Sequence, residues 1–241
     1  MQSPSELDWQ KVKRLLRYLQ GTKNLALHCN RISGTIRIDA YTDADHANCL
    51  ETRRSRTGTV IFVSGFPVIW QSKKQNLVTV STVESEYVAA SSATQELTWI
   101  LSLLDELNIA YDQPIMHIDN QGAIAIAKDP KHHGRTKHID IRYHYIREKY
   151  RENMFDMVYC PTKEQLADIF TKALPQSTFE YLLKEFNLTN PVSSRELVLR
   201  GSVKQTRESG SYNPISLAET IEPQLNPIEP EAKHLKGRNL S

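Results

Sequence analysis

The sequence predicts an α/β fold, a mixed sheet covered by helices, on three observations. Short β-type runs fill residues 25 to 70 with little more than turns between them, as in an antiparallel meander. One long helical stretch, Ser81 to Leu107, comes next. After Pro114, strand and helix alternate, the βα grammar that makes later strands parallel.

Ahead of the sheet, SPSE sets Ser3 as a cap, Pro4 at the first helical position and Glu6 as the acid closing a capping box. Val12, Leu15, Leu16 and Leu19 then recur at helical spacing among Lys11, Lys13, Arg14 and Arg17, until Gly21 ends the run. The expectation is a surface helix with one buried stripe. Such a helix cannot form a domain alone, so it packs on downstream elements or on an upstream neighbour.

The β-type runs are LALHC, TIRIDAY, TGTVIFVSG and PVIW, punctuated by Gly34, Gly58 and Gly65-Phe66-Pro67. Trp70 and Trp99 are expected in the core. In the long helix, Ser81 and Glu84 form a capping box, and Ala90, Ala93, Leu97, Ile100, Leu104 and Leu107 make a stripe whose alanines permit close approach to a sheet. PIMHIDN is a strand ending in Asp119, QGAIAIAK a helix, HIDIRYHYIREKY another, MFDMVYC a strand, and TKEQLADIFTKAL a helix after Pro161. Residues 176 to 190 form a last amphipathic helix on Phe179, Leu182, Leu183 and Phe186. The remaining 51 residues hold five of the eleven prolines with scattered apolar positions, and are expected to be a disordered tail.

With 241 residues, 39% hydrophobic and 24% charged, the chain can bury one sizeable core. Its 30 Lys and Arg against 28 Asp and Glu leave a net charge of +2, so a nucleic-acid role must rest on local geometry. Cys29, Cys49 and Cys160 are far apart and form no CxxC pair, which argues against a disulfide scaffold or a zinc knuckle and for a reducing, intracellular setting. No apolar run approaches the roughly 18 residues of a membrane span, and the polar N-terminus does not resemble a signal peptide. Membrane insertion is not expected.

Sheets with parallel strands place chemistry at the carboxyl ends of those strands. Asp43 follows the first long strand, Asp119 ends the strand after the long helix, and Asp168 lies in the helix after the last strand. The long helix offers Glu84 and Glu86, roughly 200° apart around the axis. Glu86 shares the sheet-facing stripe with Ala90, Ala93 and Leu97, whereas Glu84 has its capping role. Four acids in one cleft repel unless cations are bound, and hard divalent ions resolve the conflict. Acids at strand ends and in first helical turns are also ordinary caps and solvated positions, and spacing alone does not separate the two readings. Asp39, alternating along a strand, is expected to be solvated, and Asp45 to be a turn residue.

Five blocks carry a resemblance: YTDADHANCLETRRSRTGTVIFVSG, VIWQSKKQNLVTVSTVESEYVAAS, IDNQGAIAIAKDP, HHGRTKHIDIRYHYIRE and PTKEQLADIFTKALP. In this order they resemble the ribonuclease H domain of copia-type retrotransposon Pol polyproteins. The upstream WQKVKRLLRYLQGTKNLAL resembles the segment joining that family's reverse transcriptase to the domain. The resemblance implies a ribonuclease H-like five-stranded mixed sheet flanked by helices, and an enzyme that cuts the RNA strand of an RNA:DNA hybrid with two Mg2+ or Mn2+ ions. The family's catalytic, metal-binding acids fall on Asp43 in YTDAD, Glu86 in ESEY, Asp119 in DNQ and Asp168 in QLADIFTK. His46 departs from the aromatic, often Trp, that the family has there, and Asn48 stands near a family glycine, so the loop after Asp43 is altered. No polymerase palm with paired aspartates is present in this chain, which by itself is not expected to polymerise DNA.

The expected organisation is a connecting segment over 1–30, the ribonuclease H-like domain over 31–175, the amphipathic helix over 176–190 and the tail over 191–241. Expected partners are an RNA:DNA hybrid and the reverse transcriptase portion of a Pol polyprotein, in the cytoplasm or nucleus. Phosphate contacts are expected from the basic loop Lys131, His132, His133, Arg135, Lys137 and His138, and from Ser72, Lys73, Lys74 and Gln75. A histidine of that loop could shuttle a proton to the leaving oxygen. The alternative function is a catalytically silent module that holds a hybrid or a protein.

Overall fold

The computed structural model describes residues 4–29, 34–128 and 144–190; the basic loop from Lys131 to His138 and the expected tail lie outside the described residues. Five strands form the main sheet: β2 (Ile38–Asp45), β3 (Arg56–Val63), β4 (Phe66–Lys74), β5 (Ile115–Ile118) and β6 (Asp156–Tyr159), in the order β4-β3-β2-β5-β6. The β2–β3 and β3–β4 pairs are antiparallel, while β2–β5 and β5–β6 are parallel. This is the ribonuclease H-like mixed sheet that the resemblance implies. Ser64 and Gly65 join β3 to β4 with φ of 49° and 82°, the left-handed pair a two-residue type I′ hairpin requires.

Alternation along the strands divides the core. Ile38 and Ala40 of β2, Ile61 of β3, and Met116 and Ile118 of β5 meet the Tyr87, Ala90, Ala93 and Leu97 face of α2 (Thr82–Glu106). Ala123 and Ala127 of α3 (Gln121–Lys128) and Ile146 of α4 (Tyr145–Arg151) complete that layer. On the opposite face Val60 and Phe62 pack with Leu166, and with Leu182 and Phe186 in and just after α5 (Gln176–Glu185). Helix α2 is capped as expected by Ser81, whose hydroxyl accepts the Glu84 N–H at 3.2 Å. Glu84 Oε2 in turn accepts the Val80 N–H at 2.8 Å, one residue before the cap.

Several expectations are corrected. In α1 (Glu6–Thr22) the cap is Ser5, not Ser3, and the box closes through Asp8, not Glu6: Ser5 Oγ accepts the Asp8 N–H at 3.2 Å and Asp8 accepts the Ser5 N–H at 3.1 Å. The apolar stripe of α1 is not buried, with Leu15, Leu16 and Leu19 between 51% and 55% exposed, because other elements already cover both sheet faces. From LALHC only β1 (Ala26–Leu27) forms, and it pairs with β7 (Leu188–Thr189) in a separate two-stranded ribbon. Trp70 and Trp99 are 58% and 57% exposed rather than core, since edge strand β4 and the outer side of α2 carry them.

TKEQLADIFTKAL is two 3-10 helices, Thr162–Glu164 and Leu166–Phe170, instead of one α-helix. Between them stands Gln165 in an extended conformation, buried, with Nε2 donating to the Thr42 carbonyl at 3.0 Å and Oε1 accepting the Ala167 N–H at 3.2 Å. That tie to β2 interrupts the helical run, and 3-10 geometry suits such short pieces. Gly58 is not punctuation either: it lies inside β3, paired with Asp43, where a Cβ would come within 2.7 Å of both the Ala167 carbonyl oxygen and Thr171 Cγ2.

Candidate functional site

Asp43 is the sixth residue of β2, inside the strand rather than after it, and is buried. Parallel pairing sets Thr42 against Ile118, so the next residues along each strand, Asp43 and Asp119, stand side by side. Glu86, near the start of α2, reaches the same end of the sheet and accepts the Ala44 N–H on Oε1 at 3.0 Å. Oxygen atoms of Asp43, Glu86 and Asp119 all lie within 4.8 Å of one another. Glu84 does not join them. Asp168 lies outside this tight group, on the second 3-10 helix, where Lys172 Nζ approaches it at 2.8 Å and Asp43 Oδ2 at 3.9 Å.

The electrostatics follow from the crowding. Burial, then the charges of Asp43 and Asp119, push the Glu86 carboxyl up to about 9. Its Oε2 is buried with no hydrogen-bond partner among the described residues. Asp119 is raised by burial and by Asp43, against a bond from the Thr162 hydroxyl at 3.3 Å. Burial is also the largest influence on Asp168, pushed up to about 6 even with Lys172 bonded to it, and Asp43 and Asp119 add to the rise. Burial works against the charge on Lys172, but Asp168, Asp43 and Asp119 outweigh it and hold the ammonium above its ordinary value.

A hard divalent cation fits this donor set. The ligands are all oxygens, they converge from three separate elements, and the orphaned Glu86 Oε2 is a buried acceptor that a cation satisfies.

Three further residues at the site escaped the sequence reading. Gln165 ties the 3-10 segment to β2, Thr171 donates its hydroxyl to Asp43 Oδ2, and Lys172 bridges Asp168 and Asp43. The DIFTK stretch carried a faint signal, since Lys172 falls four residues after Asp168. The loop after Asp43 is pinned: His46 Nδ1 lies 3.2 Å from Thr79 Oγ1, which lies 2.9 Å from Ser55 Oγ, and Ser55 accepts the Ala47 N–H at 3.0 Å. Of the expected phosphate contacts, Ser72 donates to the Phe170 carbonyl at 2.6 Å and Gln75 is buried on Thr57 and Ser85, so both serve the fold. Lys73 and Lys74 are exposed. Asp39 is buried rather than solvated, paired with Arg37 at 2.7 Å and His117 at 3.0 Å.

The strand order and the flanking helices are those of a ribonuclease H-like fold. The chain's homologues are retrovirus-related Pol polyproteins of copia-type transposons. The chain is 40% identical over 185 residues to the retrovirus-related Pol polyprotein from transposon TNT 1-94 of Nicotiana tabacum, covering 77% of this chain and 14% of that protein. It is 36% identical over 190 residues to the one from transposon RE1 of Arabidopsis thaliana, covering 78% of this chain and 13% of that protein. The chain thus spans about one seventh of the length of these curated relatives. A solved structure similar to it is LC11-RNase H1 in complex with an RNA/DNA hybrid, at 17% identity and a TM-score of 0.39, covering 56% of this chain and 94% of that one. No family model matches the chain. Among the described residues, no helix is long and apolar enough to cross a membrane.

Proposed function

We propose that this chain hydrolyses the RNA strand of RNA:DNA hybrids, as the ribonuclease H part of a copia-type Pol, with two divalent cations, Mg2+ or Mn2+, held by Asp43, Glu86, Asp119 and Asp168. The observation that carries this reading is the convergence of Asp43, Glu86 and Asp119 within 4.8 Å. Divalent cations, when bound, would acidify a water to serve as nucleophile and would stabilise charge on the leaving 3′ oxygen. Asp43 and Asp119 keep their oxygens fixed at the end of the sheet. Glu86, kept protonated by burial and its acidic neighbours, would have to give its proton to solvent to serve as a ligand. Asp168 would have to exchange its contact with Lys172 for the same duty.

Phosphate binding is supported by the basic groups beside the acids. Asp45 pairs with Arg56 and Arg56 with Lys74, two rows beyond the Asp43–Gly58–Ser72 row, while Arg53, Arg54 and Lys73 are exposed nearby in sequence. A backbone laid across this rim needs no base-edge contact, in keeping with recognition of a hybrid by groove shape and 2′-hydroxyls.

The test is cleavage of a labelled RNA:DNA hybrid with and without Mg2+. The RNA strand alone is expected to be cut, only with the metal, and Asp119→Asn is expected to abolish cutting while its circular dichroism and melting stay those of a folded protein. Binding of the hybrid without cleavage, by a chain with every acid intact, would overturn the enzymatic reading and leave the silent binding module.

A further inference from the structure

We propose that Thr171 is the positioning residue for Asp43: its hydroxyl fixes the Asp43 carboxylate in the rotation that presents it to Glu86 and Asp119. This deepens the reading of those acids as a cation site and rests on it. Both partners are buried, and the Thr171 hydroxyl donates to Asp43 Oδ2. That hydroxyl has a single proton and two acceptors within reach, Asp43 Oδ2 and the Asp168 carbonyl at 3.1 Å. The hydroxyl stands closer to Asp43 Oδ2 than to the Asp168 carbonyl, so the proton goes to Asp43.

Little else holds this carboxylate against its neighbours. Asp119 crowds it with like charge, and the nearest cation among the described residues, Lys172, stands 3.9 Å from Oδ2 and lies closer to Asp168. Without the hydroxyl, repulsion would turn Asp43 away from the group it must join. The approach of Thr171 depends on Gly58, because a Cβ at Gly58 would lie 2.7 Å from Thr171 Cγ2 and 2.7 Å from the Ala167 carbonyl oxygen. The missing side chain in β3 and the hydroxyl on the 3-10 segment are therefore one device. Outer-shell partners of metal ligands typically account for about 10- to 100-fold in metal affinity.

The experiment is calorimetric titration of the full chain with Mn2+, with folding checked by circular dichroism. Thr171→Val, which keeps the shape and removes the donor, is expected to weaken Mn2+ binding by about tenfold or more. Thr171→Ser, which keeps the donor, is expected to restore it, a rescue that a purely space-filling role would not produce. Gly58→Ala is expected to imitate Thr171→Val, because it displaces the hydroxyl without deleting it. If the wild-type chain binds Mn2+ and Gly58→Ala or a folded Thr171→Val binds it equally well, the proposal is overturned. If the wild-type chain does not bind Mn2+, the cation-site reading itself fails.

Discussion

The Ala44 N–H donates to Glu86 Oε1 at 3.0 Å, so the residue that follows Asp43 fastens the α2 glutamate to the strand carrying the aspartate. One Glu86 oxygen is satisfied by the backbone, and the other is left buried without a partner among the described residues. The backbone bond favours the charged form but is outweighed by burial and by Asp43 and Asp119. The metal-free site therefore holds Glu86 against its charge.

That arrangement sets a pH dependence. A carboxyl whose folded pKa is about 9 against an ordinary 4.5 favours the folded state fully below about 4.5, and the advantage is lost as pH rises through about 9. Asp168, raised from 3.8 to about 6, works in the same direction over a lower window. Urea midpoints measured in a chelator from pH 5 to 9 are expected to fall with pH, and Glu86→Gln is expected to flatten that fall. An unchanged slope in the variant would contradict the assignment.

Lys172 is a cation already in place. With its ammonium 2.8 Å from Asp168 and 3.9 Å from Asp43, it partly neutralises the acids that a divalent ion must reach. Lys172→Met is expected to lower the melting temperature of the chelated protein at pH 8 and to tighten Mn2+ binding. Weaker binding in the variant would show that Lys172 assists the ion instead of competing with it.

Gln165 joins the 3-10 segment to β2 through two buried hydrogen bonds. Gln165→Ala is expected to cost about 1–3 kcal/mol in urea unfolding, the range for leaving buried polar groups unpaired. A change within experimental error would show that the segment is held by its apolar contacts alone.

The leucines of α1 and α2 should separate sharply. Leu97 is fully buried against the sheet, and Leu97→Ala is expected to cost about 2–5 kcal/mol. Leu15 and Leu19 are more than half exposed, and their alanine variants are expected to stay within about 0.5 kcal/mol of wild type. A large loss at Leu15 would mean that its face of α1 is covered in solution.

Local pattern was the legible part of the sequence. Ser81 and the alanine stripe gave the long helix, alternation in TIRIDAY and TGTVIFVSG gave the antiparallel strands, and the strand–helix order after Pro114 gave the parallel ones. Facing on α2 separated Glu86 from Glu84 before any contact was known, and only Glu86 lies with Asp43 and Asp119. The misses are tertiary. Nothing local distinguishes the Leu15–Leu19 stripe from one that finds a sheet to cover it. Gln165 reads as an ordinary helical residue until the Thr42 carbonyl competes for its amide. Gly58 reads as a strand break because the reason for it, Ala167 and Thr171 pressing on β3, lies more than a hundred residues away in the chain.

The Gln165–Thr42 bond joins positions 123 apart, and the strand it closes is the middle one of the sheet. A ribosome must therefore synthesise through Ile118 before β2 gains its parallel neighbour β5, and through Gln165 before it gains its final tether, a route of high contact order and slow closure. Until then the nascent chain offers a bare edge to other nascent chains, so shortened translation products should clump rather than persist as partly folded monomers.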